Sequence, residues 1–188
     1  MPSALVVIDM QVDFFASPEL ARCQEDLVRA CNRLIDTARA QGAPVIEVRT
    51  VHAHDGSTWA LNMRDDDQGM VLAGSPGAAP VPGLHEADVV VEKTRDSAFH
   101  GSRLADVLRE RGIDRLVLCG VSTESCIAAT ATAAYAADLR VTLVEDATAS
   151  VERAQHAQTL EVLHTQYRQP VVAAREVSFT PESQRVAS

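Results

Sequence analysis

Aromatic side chains make up only 4% of this 188-residue chain, and its four cysteines form no Cys-x-x-Cys pair. No His/Cys spacing matches a zinc finger, which leaves neither structural zinc nor a disulfide framework to organise the fold. Reduced thiols are expected instead, as in a cytoplasmic protein. Basic residues are short as well: 17 Lys and Arg stand against 26 Asp and Glu, a formal net charge of −9. That balance argues against a nucleic-acid partner. No apolar run approaches the ~20 residues that span a bilayer, so no membrane partner is expected. The opening "MPSALVVIDM" lacks the basic region of a secretory leader and runs straight into a strand pattern. There is no internal repeat.

What remains is an ordinary globular composition, 46% apolar and 23% charged, in a length that suits one domain. Short apolar runs alternate with longer amphipathic segments. Strands are expected at 4–9, 44–50, 87–93, 114–120, 140–146 and 169–174. Helices are expected at 19–41, 102–112, 123–137 and 151–167. In the first helix Leu20, Cys23, Leu27, Cys31, Leu34 and Ile35 recur at three- to four-residue spacing, and Gly42 stops it. Strands that are apolar on both faces and alternate with helices predict an α/β fold, a mainly parallel sheet covered on both sides. The pattern breaks at 51–86, which holds "DDD" and "GSPGAAPVPG" and is long for a structureless connection. It is expected to be a lid or an oligomer contact. The expectation is a single domain over 1–175, followed by a C-terminal tail at 176–188.

Ligands of open parallel sheets bind beyond the carboxyl ends of the strands. The first strand ends there in Asp9, the third in Lys93, and the fourth in Gly120, six residues before Cys126. Each alone has an ordinary explanation: a turn carboxylate, a solvated ammonium, a core thiol. Three strands delivering an acid, an ammonium and a thiol to one sheet edge suggest nucleophilic catalysis. A helix N-terminus and an ammonium both lower a thiol pKa, so a reactive thiolate is expected at Cys126. Asp9 would move the proton, Lys93 would hold Asp9, and the knot "VSTES" would offer backbone N–H groups to an oxyanion. "GVSTE" lacks the last glycine of a G-x-S-x-G elbow, which makes Ser122 a poor nucleophile.

The stretches "VVIDMQVDFF", "VEKTRDSAFHGSRL" and "CGVSTESCIAATATAAYAADLRVTLVEDATAS" resemble the isochorismatase-like cysteine hydrolases, a family that includes nicotinamidases, N-carbamoyl amidases and ureido hydrolases. The resemblance covers about residues 4–174. It implies a three-layer α/β/α fold around a six-stranded parallel sheet of order 3-2-1-4-5-6. It implies a Cys126–Asp9–Lys93 triad, oxyanion donors at the N–H groups of Ser122 and Cys126, and a cis peptide at Val121–Ser122. By analogy it also implies a homo-oligomer. The chain departs from the nicotinamidase pattern in "RTVHAHDGSTW". There a metal site would be built on Asp-x-His, but Thr50 takes the Asp position, His52 matches, and no clear third histidine follows. No metal and no organic cofactor are expected, and nicotinamide itself is disfavoured. Isochorismatases in the strict sense lack the nucleophilic cysteine, so Cys126 points to an amide or carbamoyl C–N bond in a small-molecule substrate.

Gln11, Phe14, His52, Trp59 and Phe99 are assigned to the substrate pocket. One of Phe14 and Phe15 is expected in the core, Asp13 either caps the next segment or serves the site, and His100 reaches the pocket or a neighbouring subunit. Cys119 is read as an inert strand residue.

Overall fold

The computed structural model describes residues 2–180. Six strands, β1 (Ser3–Ile8), β2 (Val45–Thr50), β3 (Val89–Lys93), β4 (Arg115–Val121), β5 (Arg140–Ala149) and β6 (Val171–Val172), form one sheet in the order β3-β2-β1-β4-β5-β6. Every neighbouring pair is parallel. The order and the all-parallel pairing are those implied by the resemblance.

Side chains of β1 alternate between two cores. Leu5 and Val7 pack with α1 (Pro18–Ala40) on one face. Ala4, Val6 and Ile8 pack on the other, with α3 (Leu104–Glu110), α4 (Ala128–Ala136) and α5 (Arg153–Tyr167). The three layers follow from strands that are apolar on both faces. α1 starts where the Ser17 side chain accepts the Leu20 N–H at 3.2 Å and Pro18 occupies the first turn. It buries Leu20, Leu27, Cys31, Leu34 and Ile35, while Cys23 stays half-buried.

One expectation needs correction. β3 is apolar on one face only, because it is the sheet edge: Val90 is 40% exposed and Glu92 is exposed, while Val89, Val91 and Lys93 are buried. Residues 51–86 are ordered, as their length leads us to expect of more than a plain connection. They contain a short helix, α2 (Leu61–Asp65), are tied internally by a bridge of His52 with Leu72, and are joined to the end of β1 by a bridge of Gln11 with Pro80. The first residues of the expected tail lie against the domain. Phe179 is buried in the α1-side core, and the backbone N–H groups of Phe179 and Thr180 donate to Gln41 Oε1 at 2.7 and 3.0 Å. Residues 181–188 lie outside the described residues.

Candidate active site

The site is assembled at the carboxyl ends of β1 to β4. β1 gives way to Asp9 at a left-handed φ of +52°, which an Asp tolerates better than most side chains. β4 lies beside β1 with Gly120 opposite Ile8. Only glycine fits there: φ is +114°, and a Cβ would sit 2.0 Å from the Ile8 carbonyl oxygen. The peptide Val121–Ser122 is cis. One wide helical turn, Thr123–Ile127, follows, closed by the Ile127 N–H donating to the Ser122 carbonyl at 3.1 Å, and it carries Cys126 into α4. Buried Thr123 ties this turn to α5 through a 2.8 Å contact between its Oγ1 and His156 Nδ1. Among the described residues the Ser122 N–H has no backbone partner.

Asp9, Lys93 and Cys126 are brought together. Lys93 Nζ lies 2.8 Å from Asp9 Oδ2, and both side chains are fully buried. Nζ also donates to Thr50 Oγ1 at 2.8 Å and to Cys126 Sγ at 3.4 Å. Thr50 is the hub. Its hydroxyl donates to Asp9 Oδ1 at 2.9 Å while accepting from Lys93, and its N–H is shared between Asp9 Oδ1 at 3.0 Å and Gln11 Oε1 at 2.9 Å. The amide nitrogen of Gln11 donates to the carbonyls of Thr50 and Ala78 at 2.8 and 2.9 Å. Asp9 Oδ2, despite its closeness to Nζ, accepts no well-directed hydrogen bond. It keeps a lone pair for a proton.

The electrostatics overturn one expectation. Burial, followed by the Asp9 carboxylate, raises the Cys126 pKa well above the ordinary thiol value, and Lys93 offsets this only in part. This favours a thiol over a thiolate at Cys126: the apolar surroundings and a carboxylate outweigh one ammonium and a single helical turn. Burial opposes the charge on Lys93, but Asp9 and Cys126 more than offset it, and the ammonium is held above the ordinary lysine value. His52 is lowered by burial first and, after a partial offset from Thr58, by Arg95 and Lys93, which favours its neutral form.

A cleft of about 790 Å³ opens onto the thiol. Cys126, Thr50, Phe14 and His52 line it, whereas Asp9 and Lys93 do not reach its surface. Gln11, Trp59 and Phe99, assigned to the pocket from sequence, are not on its wall. Gln11 is fully buried and spends its amide on backbone. Trp59 donates its indole N–H to the Ala53 carbonyl at 2.9 Å and packs on Gly56 and Gly69, folding the 51–86 segment onto itself. Phe99 packs against the core on the α3–α5 side. Phe15 is the core phenylalanine and Phe14 the pocket one.

His100 reaches the cleft, as do Met63, Met70, Val71, Arg95 and Asp96, which the sequence had not marked. Asp13 does not cap the next helix, α1, whose cap is Ser17. Asp13 Oδ2 accepts the Val71 N–H at 2.6 Å, in space left free by the missing side chain of Gly77, and Val71 adopts a left-handed φ of +46°. That conformation is strained for a β-branched residue, so Asp13 fixes one wall of the cleft. His54 points elsewhere, its Nε2 2.8 Å from the exposed-loop carbonyl of Ala73. Among the described residues no three His, Cys, Asp or Glu side chains are grouped to hold a metal ion. No helix among them is long and apolar enough to cross a membrane. A second cavity, of about 850 Å³, lies where β5 begins and α4 and α5 end, away from these residues.

Comparison with known proteins identifies the family. The isochorismatase domain model matches residues 3–176. A probable inactive nicotinamidase of Arabidopsis thaliana is 36% identical over 158 residues, which cover 79% of this chain and 81% of that protein. Among solved structures, an isochorismatase family protein from Desulfovibrio vulgaris has 31% identity and a TM-score of 0.83, covering 100% of this chain and 99% of its own. The N-carbamoylsarcosine amidase of Thermoplasma acidophilum has 28% identity and a TM-score of 0.79, covering 94% of this chain and 99% of its own.

Proposed function

The chain belongs to the isochorismatase domain family, and from that premise we propose that it is a cysteine-dependent hydrolase cleaving a C–N bond of a small amide, lactam, ureido or carbamoyl substrate. The observation that carries this reading is the fully buried Lys93 ammonium in simultaneous contact with Asp9, Thr50 and the Cys126 sulfur.

The proposed sequence starts from the neutral thiol. As Sγ attacks the substrate carbonyl, its proton passes to Asp9 Oδ2, the oxygen with a lone pair to spare. The C–S bond forms as the carbonyl π pair moves to oxygen. That oxyanion is received by the N–H groups of Ser122 and Cys126. Collapse re-forms the carbonyl and breaks the C–N bond, and Asp9 returns the proton to the departing nitrogen, so ammonia or an amine leaves. Water then adds to the thioester with Asp9 taking its proton; collapse breaks the C–S bond and releases the product acid, and the departing sulfur takes that proton back, which regenerates the thiol and the Asp9 carboxylate. Lys93 stays an ammonium throughout. It holds Asp9 in orientation and stabilises negative charge on sulfur as the S–H bond breaks. A thiol held neutral at rest is consistent with proton transfer coupled to attack.

A second reading, a member that binds a metabolite without turning it over, is favoured by the inactivity in the name of the Arabidopsis relative. The intact Cys–Asp–Lys arrangement opposes it, since a binding pocket has no need of all three. The two are separated by measuring ammonia or amine release from a panel of primary amides, lactams and N-carbamoyl compounds, with Cys126→Ala alongside. Release that disappears in Cys126→Ala supports the hydrolase. Release that survives the substitution sinks the mechanism, and none across the panel favours the binder.

A further inference from the structure

Arg95 is half-buried on the wall of the cleft that holds Cys126. Its Nη1 is committed to backbone: it donates to the carbonyls of Thr58 at 2.6 Å and Thr94 at 2.5 Å. A guanidinium has five N–H donors. Anchoring at Nη1 leaves Nε and Nη2, one complete edge of the fork, with no hydrogen-bond partner among the described residues. Among the described residues no carboxylate forms an ion pair with Arg95, not even the adjacent Asp96, which is exposed and solvated on the same cleft. A half-buried cation with no counter-ion, pinned at one nitrogen beside a nucleophile, lacks an anion. The depressed basicity of His52 is consistent with this, since Arg95 is among the charges acting on that ring.

We propose that Arg95 is a specificity-determining residue that takes a carboxylate of the substrate side-on through Nε and Nη2, so that the protein acts on amide, ureido or carbamoyl compounds that also carry an acid group. This rests on the hydrolase reading for the identity of the cleaved bond, but not for the anion site itself. The geometry favours a carboxylate, because planar two-point recognition matches the free edge of the fork. The Nη1 anchors hold the guanidinium in place before the ligand arrives, which reduces the freedom lost on binding.

The test uses ω-ureido acids with one, two or three methylenes between the ureido nitrogen and the carboxylate, each paired with its neutral methyl ester. Affinities are measured by calorimetry on the otherwise intact Cys126→Ala protein, which removes turnover. For at least one chain length the acid is expected to bind tenfold or more tightly than its ester at low salt, with the ratio narrowing as ionic strength rises. Adding Arg95→Gln should bring the ratio to within about twofold, and Arg95→Lys, which keeps the charge but not the fork, should fall between. Equal binding of acid and ester at every length, binding of neither at millimolar concentration, or a preference that persists in Arg95→Gln overturns the proposal. Because the first comparison leaves Arg95 in place, it stands even if an Arg95 variant folds poorly. Acids that bind through Arg95 but are not hydrolysed when Cys126 is present would leave the anion site standing and remove the hydrolase reading.

Discussion

Asp9→Asn isolates the energetics of the buried ion pair. The substitution keeps the shape of the side chain but strips Lys93 of its carboxylate partner among the described residues, in a place where neither side chain touches solvent. Removing one member of a buried pair costs about 3–5 kcal/mol, because the other charge is left without compensation. Lys93→Met strands Asp9 in the same way and should cost a similar amount, about 3–5 kcal/mol. Were the two effects independent, the double variant would lose about 6–10 kcal/mol. It should lose far less, since Asn and Met leave no buried charge and replacing a whole pair is often close to neutral. A favourable coupling of about 3 kcal/mol or more is therefore expected. Each single variant should melt about 6–20 °C lower, at about 2–4 °C per kcal/mol for a chain of this size. Urea unfolding followed by the fluorescence of Trp59, the single tryptophan, and by circular dichroism gives all four corners of the cycle. Strict additivity, or single variants within about 1 kcal/mol of the parent, would refute the reasoning. The double variant, however stable, should be inactive.

Three further outcomes follow from the same geometry. Iodoacetamide at pH 7.5 should alkylate Cys126 more slowly than a model thiol of ordinary pKa, because burial and Asp9 keep the sulfur protonated; faster modification would restore the thiolate picture. The raised Cys126 pKa means that above about pH 8.5, the ordinary thiol value, the unfolded chain releases a proton that the folded chain keeps. Stability should therefore decline as pH rises past that point. Cys126→Ala should flatten the decline without abolishing it, since Cys119 is raised too, by its contact with Cys31 and by burial; denaturation midpoints between pH 7 and 10 check this, and an unchanged slope counts against it. Gly120→Ala should destabilise by about 2–5 kcal/mol, from strain at a forbidding φ and a Cβ driven into the Ile8 carbonyl, and a variant as stable as the parent would mean that the β1–β4 approach is looser than described.

The sheet was legible because its information is local and repetitive. Runs such as "ALVVID" and "DRLVLCG" carry strand identity in their own apolarity, and α1 carries its period in Leu20, Leu27 and Leu34. Asp9, Lys93 and Cys126 could be found because strand ends are visible in sequence and parallel sheets collect them on one edge. Thr50 was open to the same logic: in the order 3-2-1, whatever ends the second strand lies between Asp9 and Lys93. Threonine carries no charge, so its residue type alone does not mark it as the hub of the site. The cleft wall was harder. Residues 51–86 have no period, and their path is set by unlike contacts far apart in sequence, such as Asp13 with Val71 and Gln11 with Ala78. Trp59 and Phe99 were misassigned because aromatic character suits a pocket and a core equally well. The state of the Cys126 thiol depended on the balance between burial and two opposite charges, which spacing does not reveal.

Lys93 is the only lysine of the chain, and every other basic side chain apart from histidine is an arginine. An amine-directed reagent therefore meets one ε-amine, 2% exposed and enclosed by Asp9, Thr50 and Cys126. Labelling has to wait for that enclosure to open. When opening and closing are fast compared with labelling, the rate relative to free lysine, corrected for ionisation, reports the open fraction. The protein thus carries its own clock for the breathing of the site, read by mass on a single residue. A compound that fills the cleft should slow it whether or not any bond is cleaved, which allows ligands to be sought before a substrate is known.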